Sequence, residues 1–116
     1  MNHRDIQIIK KVINEIDIAS VMIADVSLDE FLGNEMLKRA VCMTVINIGE
    51  LVKNITDDTR REYKQIPWKA IAGFRDIAAY KYQTLKMEDV FQTVTVDFPE
   101  LKTNLDKIMK DEQEKK

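Results

Sequence analysis

Arg75, Asp76, Tyr80 and Tyr82 fall inside one ten-residue run, GFRDIAAYKY, at Gly73–Tyr82. An arginine fork can grip phosphoryl oxygens and stabilise developing negative charge, and phenols beside it can donate hydrogen bonds or a proton. If the helix runs as far as Tyr82, Arg75 and Tyr82 are two turns apart and nearly eclipse, whereas Tyr80 lies roughly 140° around. Asp76 and Tyr80 are four apart and can touch. Trp68, Ile71, Ala72 and Ala79 share the arginine's face, so Arg75 sits among small and apolar side chains. There it must find a partner or reach water. From periodicity alone, packing is the favoured explanation: Arg75 pairs with a carboxylate of a neighbouring helix and the tyrosine hydroxyls sit at the rim.

A second oddity lies upstream. Glu50 interrupts the apolar run INIGELV, and on a helix it shares a face with Arg39, Met43 and Ile46, with Gly49 beside it. It is expected either to pair with Arg39 or Arg75, or to orient a site arginine. Asn47 reads as a satisfied core amide. Arg60, Arg61, Lys64 and Lys69 surround Trp68, forming either a solvated face or a local phosphate-binding surface. Lys81, between the two tyrosines, ranks first among the basic candidates because it follows Arg75 closely. The single histidine, His3, lies near the N-terminus, so the commonest general base is absent from the rest of the chain. Cys42 is the lone cysteine, which excludes an internal disulfide and a cysteine-built zinc site; it reads as a buried free thiol. No metal or cofactor is expected.

These residues need helices to position them. Three glycines and two prolines permit long uninterrupted helices. Ile9, Val12, Ile13, Ile16, Ala19 and Ile23 predict a first helix over Arg4 to Ala24. Ser27 and Glu30 form a capping-box pattern that opens a second helix, from Leu28 to about Lys53. Its middle, AVCMTVINIGELV, is apolar nearly all round and predicts a buried central helix. DDTRREYK fits a short helix, and Pro67 suits the first turn of a fourth helix reaching Tyr80. A last helix begins near Met87 with the stripe Val90, Val94, Phe98, Leu101, Leu105 and Ile108, and Pro99 should kink it. Residues 110–116 are expected to fray. With no alternating strand pattern, repeat or linker, the expectation is an all-α fold: a small antiparallel bundle of four to five helices in one domain over 1–116.

The 116 residues carry a formal net charge of −2, with 45% hydrophobic and 33% charged residues. That composition supports a core and argues against disorder, and it supplies no global attraction to nucleic acid, so an RNA contact would be local. No signal-peptide pattern and no membrane-length apolar run is present, which places the expectation in the cytoplasm, away from membrane.

Three segments together, RAVCMTVINIGELVKNI, REYKQIPWKAIAGFRDIAAYKY and MEDVFQTVTVDFPELK, resemble the HEPN family (higher eukaryotes and prokaryotes nucleotide-binding domain). More narrowly the chain is similar to HepT-type toxins, from the first helix to about Leu105, with Ile48–Glu50, Pro67–Trp68 and the arginine motif as its most specific parts. The resemblance implies a helix-bundle homodimer whose two arginine motifs meet in a cleft, acting as a metal-independent endoribonuclease. It also implies a toxin–antitoxin module with a minimal nucleotidyltransferase as partner and antitoxin. The family motif is arginine, a polar residue, three residues, histidine, any residue, tyrosine. Arg75, Asp76 and Tyr82 match it. In the family the tyrosine is the residue that the nucleotidyltransferase modifies with AMP, which assigns modification to Tyr82. Tyr80 stands in place of the histidine.

That departure touches the chemistry. The family histidine assists proton transfer as an RNA 2′-hydroxyl attacks the adjacent phosphate. A phenol, with a reference pKa near 10, is a poor base at neutral pH but a usable acid. Three functions follow: a weakened RNase with Arg75, Tyr80 and Asp76 as catalytic residues and Glu50 and Lys81 in support; a catalytically inactive module that dimerises and binds a nucleotidyltransferase, RNA or a nucleotide; or a structural dimer in which Arg75 only pairs with Glu50.

Overall fold

The computed structural model describes residues 1–115, and all the regular structure in them is helical. Helix α1 spans His3–Met22, with Asn2 capping it by accepting a hydrogen bond from the Asp5 amide at 2.7 Å. Ile8, Ile9, Val12, Ile16 and Ala19 recur at helical spacing and face the core. The chain then turns through Asp25, whose φ of 60° is left-handed. Aspartate tolerates that region better than most non-glycine residues.

The capping box at Ser27 and Glu30 forms as expected, with both reciprocal bonds at 3.1 Å. The helix it opens is short. α2 covers Leu28–Leu32 and stops at Gly33, and Asn34 caps a separate α3, Glu35–Lys53, by accepting from the Leu37 amide at 3.0 Å. The single helix expected from Leu28 to Lys53 is therefore two. A glycine followed by a strong N-cap residue ends one helix and starts the next, and the apolar period across the junction hid that punctuation. Nor is α3 buried all round: Val41, Cys42, Val45, Ile48 and Val52 face inward, while Met36 and Met43 are exposed. Cys42 is the buried free thiol the sequence suggested.

Helix α4, Asp57–Glu62, is tied to the start of α1. The buried carboxyl of Asp5 accepts bonds from the hydroxyls of Thr56 and Thr59, each at 2.6 Å. This contact sets the beginning of α1 against the segment leaving α3, so those two helices run antiparallel. Helix α5, Trp68–Tyr80, follows Pro67, which occupies the cap position rather than the first turn.

Helices α6, Met87–Gln92, and α7, Phe98–Glu114, are joined by one wide π-turn at Thr93–Asp97. The break expected at Pro99 thus falls one turn earlier. Pro99 sits in the first turn of α7, where its missing N–H is harmless. Thr93 and Thr95 donate their hydroxyls back to the carbonyls of Asp89 and Phe91, at 2.9 and 2.7 Å. Phe91 packs on Phe31 with ring centroids 5.2 Å apart, which fixes α2 on α6. The bundle is all-α, as the sequence implies, but its rods are interrupted twice.

Of residues 110–116, where fraying is expected, 110–114 are helical and Lys116 lies outside the described residues. α7 continues through Glu114, and Glu112 is only 8% exposed. Its carboxylate accepts the Tyr63 hydroxyl and pairs with Lys115 at 3.0 Å and with the α-amino group of Met1 at 2.9 Å. A polar tail stays ordered here because its carboxylate has partners on other elements. The Tyr63 hydroxyl bond, helped by the α-amino group and Lys115 and opposed by burial, holds Glu112 down at about 2. A depressed carboxyl stabilises the fold above its unfolded value, near 4.3, and that stability is lost as pH falls toward the folded value. Thermal unfolding should therefore show the wild type losing its advantage over Glu112→Gln between about pH 5 and pH 2. A constant difference between the two proteins across that window would show that Glu112 is not so coupled.

Candidate functional site

The site is built on the contact between α3 and α5. A Cβ added at Gly49 would lie 2.0 Å from Arg75 Cβ and 2.6 Å from its Cγ, so only glycine lets α5 come this close. Arg75 lies across that gap. Its side chain is 15% exposed, and its Nη2 pairs with Glu50, one residue beyond the glycine. Nη1 pairs with Asp76 at 3.0 Å, while the buried Nε has no partner among the described residues. Asp76 also receives Lys53 Nζ at 2.8 Å. Two cations therefore alternate with two carboxylates in the order Glu50, Arg75, Asp76, Lys53.

Tyr80 closes this group from outside. The Arg75 guanidinium carbon is 5.4 Å from the Tyr80 ring centroid, and Tyr80 is 77% exposed. The contact with Tyr80, then those with Asp76 and Glu50, keep Arg75 above the ordinary arginine value. Lys53 first, then Arg75, lower Asp76 below the usual carboxylate range. The arrangement is a charged arginine, locked at its base and open at one edge beside a solvent-facing phenol. Such a group can receive an anion's oxygens if one carboxylate gives way.

Tyr82 does not join it. Helix α5 ends at Tyr80, Lys81 turns the chain with φ −127° and ψ 31°, and Tyr82 begins a 3₁₀ turn, Tyr82–Thr84. The two-turn eclipse of Arg75 and Tyr82 therefore never forms. The Tyr82 hydroxyl donates to Glu35 Oε1 at 3.3 Å, and Arg39 lies over its ring at 5.1 Å. Burial first, then Glu35, raise the Tyr82 phenol. Glu35 and Glu50 are fifteen residues apart on α3, about 22 Å along its axis. The motif is thus split: Arg75, Asp76 and Tyr80 gather near Glu50, and Tyr82 at the opposite end of α3. A shallow depression floored by Met43, Ile46 and Ala79 leads away from Tyr82.

Other expectations change as well. Of the two partners open to Glu50, Arg75 takes it and Arg39 pairs with Glu35 at 3.0 Å. The predicted contact of Asp76 with Tyr80 is replaced by that of Arg75 with Tyr80. Asn47 is exposed on the outer side of α3, beside Lys11 and Asn14, and is not a core amide. Lys81 is exposed and makes no ion pair with Arg75's partners among the described residues. His3 opens α1, at the surface. Sequence reasoning missed Lys53 and Glu35. Lys53 had a signal, standing one turn after Glu50 on the same face, and Glu35 stands one turn before Arg39.

A helical bundle with an arginine–carboxylate site on its closest helix pair is the class of protein defined so far. Residues 5–108 match the HepT-like family, described as ribonuclease HepT-like, and the chain belongs to that family. Among its curated relatives is "Putative RNase MJ0125" of Methanocaldococcus jannaschii, 38% identical over 91 residues, covering 78% of each chain. "Putative RNase TTE0752" of Caldanaerobacter subterraneus is 27% identical over 90% of this chain and 94% of that one. "Probable ribonuclease HepT" of Thermococcus cleftensis is 28% identical over 94% of this chain and 97% of its own. No solved structure matches significantly.

The close approach at Gly49 is testable. In Gly49→Ala the added methyl meets Arg75 Cβ and the α5 backbone, so the helices must separate, at a cost of about 2 kcal/mol. Thermal denaturation should show Tm falling by roughly 10 °C. An unchanged Tm would mean that the helices have room there.

Proposed function

We propose that this protein is a HepT-type endoribonuclease with weakened acid–base chemistry, the toxin subunit of a toxin–antitoxin pair. The observation that carries the reading is the Arg75 guanidinium, locked between Glu50 and Asp76 and open beside an exposed Tyr80, in a chain whose family is ribonucleolytic. In the reaction, the 2′-oxygen of a ribose bonds to the adjacent phosphorus and the 5′-oxygen leaves. Products are a 2′,3′-cyclic phosphate and a free 5′-hydroxyl. Arg75 stabilises the extra negative charge on the phosphoryl oxygens. Tyr80 gives its proton to the leaving 5′-oxygen, and water takes the 2′-hydroxyl proton, because a tyrosine stands where the motif has its histidine. No step calls on a metal. Asp76 and Glu50 position the guanidinium, and Lys81 adds positive charge at the rim.

A homodimer supports this chemistry. Met43, Ile77 and Tyr80 are large exposed apolar side chains on α3 and α5, the two helices that carry Arg75 and Glu50. Pairing of two copies over that face would bring two arginine motifs to one cleft. Tyr82 is the candidate for modification by a nucleotidyltransferase; it is half-buried and stands apart from Arg75, beside Glu35 and Arg39. No helix among the described residues is long and apolar enough to cross a membrane, and the cytoplasm is the proposed setting.

The second reading, an inactive module that binds RNA, nucleotide or a nucleotidyltransferase, is favoured by one observation: Arg75 already spends its charge on two carboxylates. Incubation with RNA in EDTA separates the two. Wild type should cleave, Arg75→Ala should lose about 100-fold or more, and Tyr80→His should gain on the order of 100-fold. Equal cleavage by wild type and Arg75→Ala would refute the catalytic role. Co-expression with a nucleotidyltransferase should add one AMP to wild type and none to Tyr82→Phe; an equal addition to both would move the modification elsewhere.

A further inference from the structure

A second cationic feature lies where α5 begins. Arg60, Lys64 and Lys69 line a depression of about 620 Å³ whose remaining walls are Pro67, Trp68 and other uncharged residues. No carboxylate lines it. That contrasts with the depression beside Asn47, where Lys11 stands with Glu15 and Glu50. In a chain of net charge −2, three cations without a counter-charge are a local departure from the average.

The three cations differ in how they are held. Arg60 is half-buried and fixed: its Nε donates to the Ile55 carbonyl at 3.2 Å, and its Nη2 to those of Val52 and Lys53 at 3.1 and 3.4 Å. It caps the end of α3 while its charge stays at the wall of the groove. Lys64 and Lys69 are exposed and have no ion-pair partner among the described residues. Arg61, the fourth basic residue of this stretch, turns away to Asp58 at 2.5 Å. Trp68 is 5% exposed and donates its indole N–H to the Tyr63 carbonyl at 3.0 Å, so it forms a wall and offers no face for a base.

A chain of polar contacts leads from the groove toward the arginine site. Arg60 binds the carbonyl of Lys53, Lys53 pairs with Asp76, and Asp76 pairs with Arg75. Lys69 and Arg75 lie on the same helix, about 9 Å apart along its axis and roughly 120° apart around it, so a strand joining them would wrap part of the way around α5. We infer that this groove carries the phosphodiester backbone of a single RNA strand that continues from Arg75, with Lys64 and Lys69 contacting phosphates and Arg60 setting its floor. The inference rests on the RNase reading above and adds to it a substrate track outside the reacting centre. Because the groove presents cations and apolar walls with no free base-reading group, it binds without regard to sequence.

The test compares wild type, Lys64→Ala/Lys69→Ala and Lys10→Ala/Lys107→Ala, the last pair lying outside the groove. The probes are fluorescent single-stranded oligoadenylate and oligouridylate of about 12 nucleotides, read by anisotropy across a salt series. The groove variant should bind both about tenfold more weakly at physiological salt, with the salt slope reduced by about 1.4 for two lost single-strand phosphate contacts. The remote variant should match wild type. Wild-type affinity and slope in the groove variant, or an equal loss in both variants, would overturn the groove while leaving the RNase reading standing. Failure of wild type to bind or cleave either RNA would overturn the RNase reading, and the groove with it.

Discussion

The close approach of α5 to α3 over Gly49 is the constraint on which the rest of this structure depends. Removing one side chain from α3 lets the Arg75 backbone settle against it, and only then can a guanidinium reach Glu50 while its stem stays covered. The same approach sets Asp76 within reach of Lys53. A partly buried arginine needs compensation for lost hydration, and two carboxylates supply it. The price is that the cation most suited to phosphate is already engaged, so an incoming anion has to compete with Glu50 or Asp76.

Tyr80 and Tyr82 show how a short change of backbone path separates two residues that look equivalent in the sequence. The sequence places the end of the helix at Tyr80, and Tyr82 would share the arginine's face only if the helix ran on. Because α5 ends at Tyr80, the first phenol covers Arg75 and the second swings to the start of α3, into the company of Glu35 and Arg39. The consequence is a division of labour along α3. One end holds the arginine and the exposed phenol; the other holds a tyrosine whose hydroxyl is oriented by a carboxylate. The two phenols thus stand in different surroundings on one protein surface.

Much of the fold was legible because it rests on local rules. Ser27 and Glu30 capped a helix as their spacing required, and α1 followed its apolar period nearly to the residue. Where the reading failed, a local signal was masked by a longer pattern. Gly33 and Asn34 stop one helix and start another, yet the apolar period continues across them. Pro99 announced a break, but the helix widens in the preceding π-turn and Pro99 itself sits in the first turn of α7. Glu112 looked like part of a frayed tail because its partners, Tyr63 and the α-amino group, are distant in the sequence.

For the candidate site, residue types and spacing marked Arg75 as an awkward arginine and narrowed the partners of Glu50 to two arginines, and the family resemblance added Asp76 and Tyr80. The departure at Tyr80 is also a property of the sequence alone, since it is read from which residue stands at that place in the motif. What only tertiary structure decided was which groups meet. Arg75 rather than Arg39 takes Glu50, Lys53 joins Asp76, Tyr82 leaves for Glu35, and Arg60, Lys64 and Lys69 converge while Arg61 does not. The physical reason is one of range. Caps, periods and motif spacing act within a few residues, whereas ion pairs and grooves depend on where separate helices cross, and that crossing is set by the volume of a single missing side chain at Gly49.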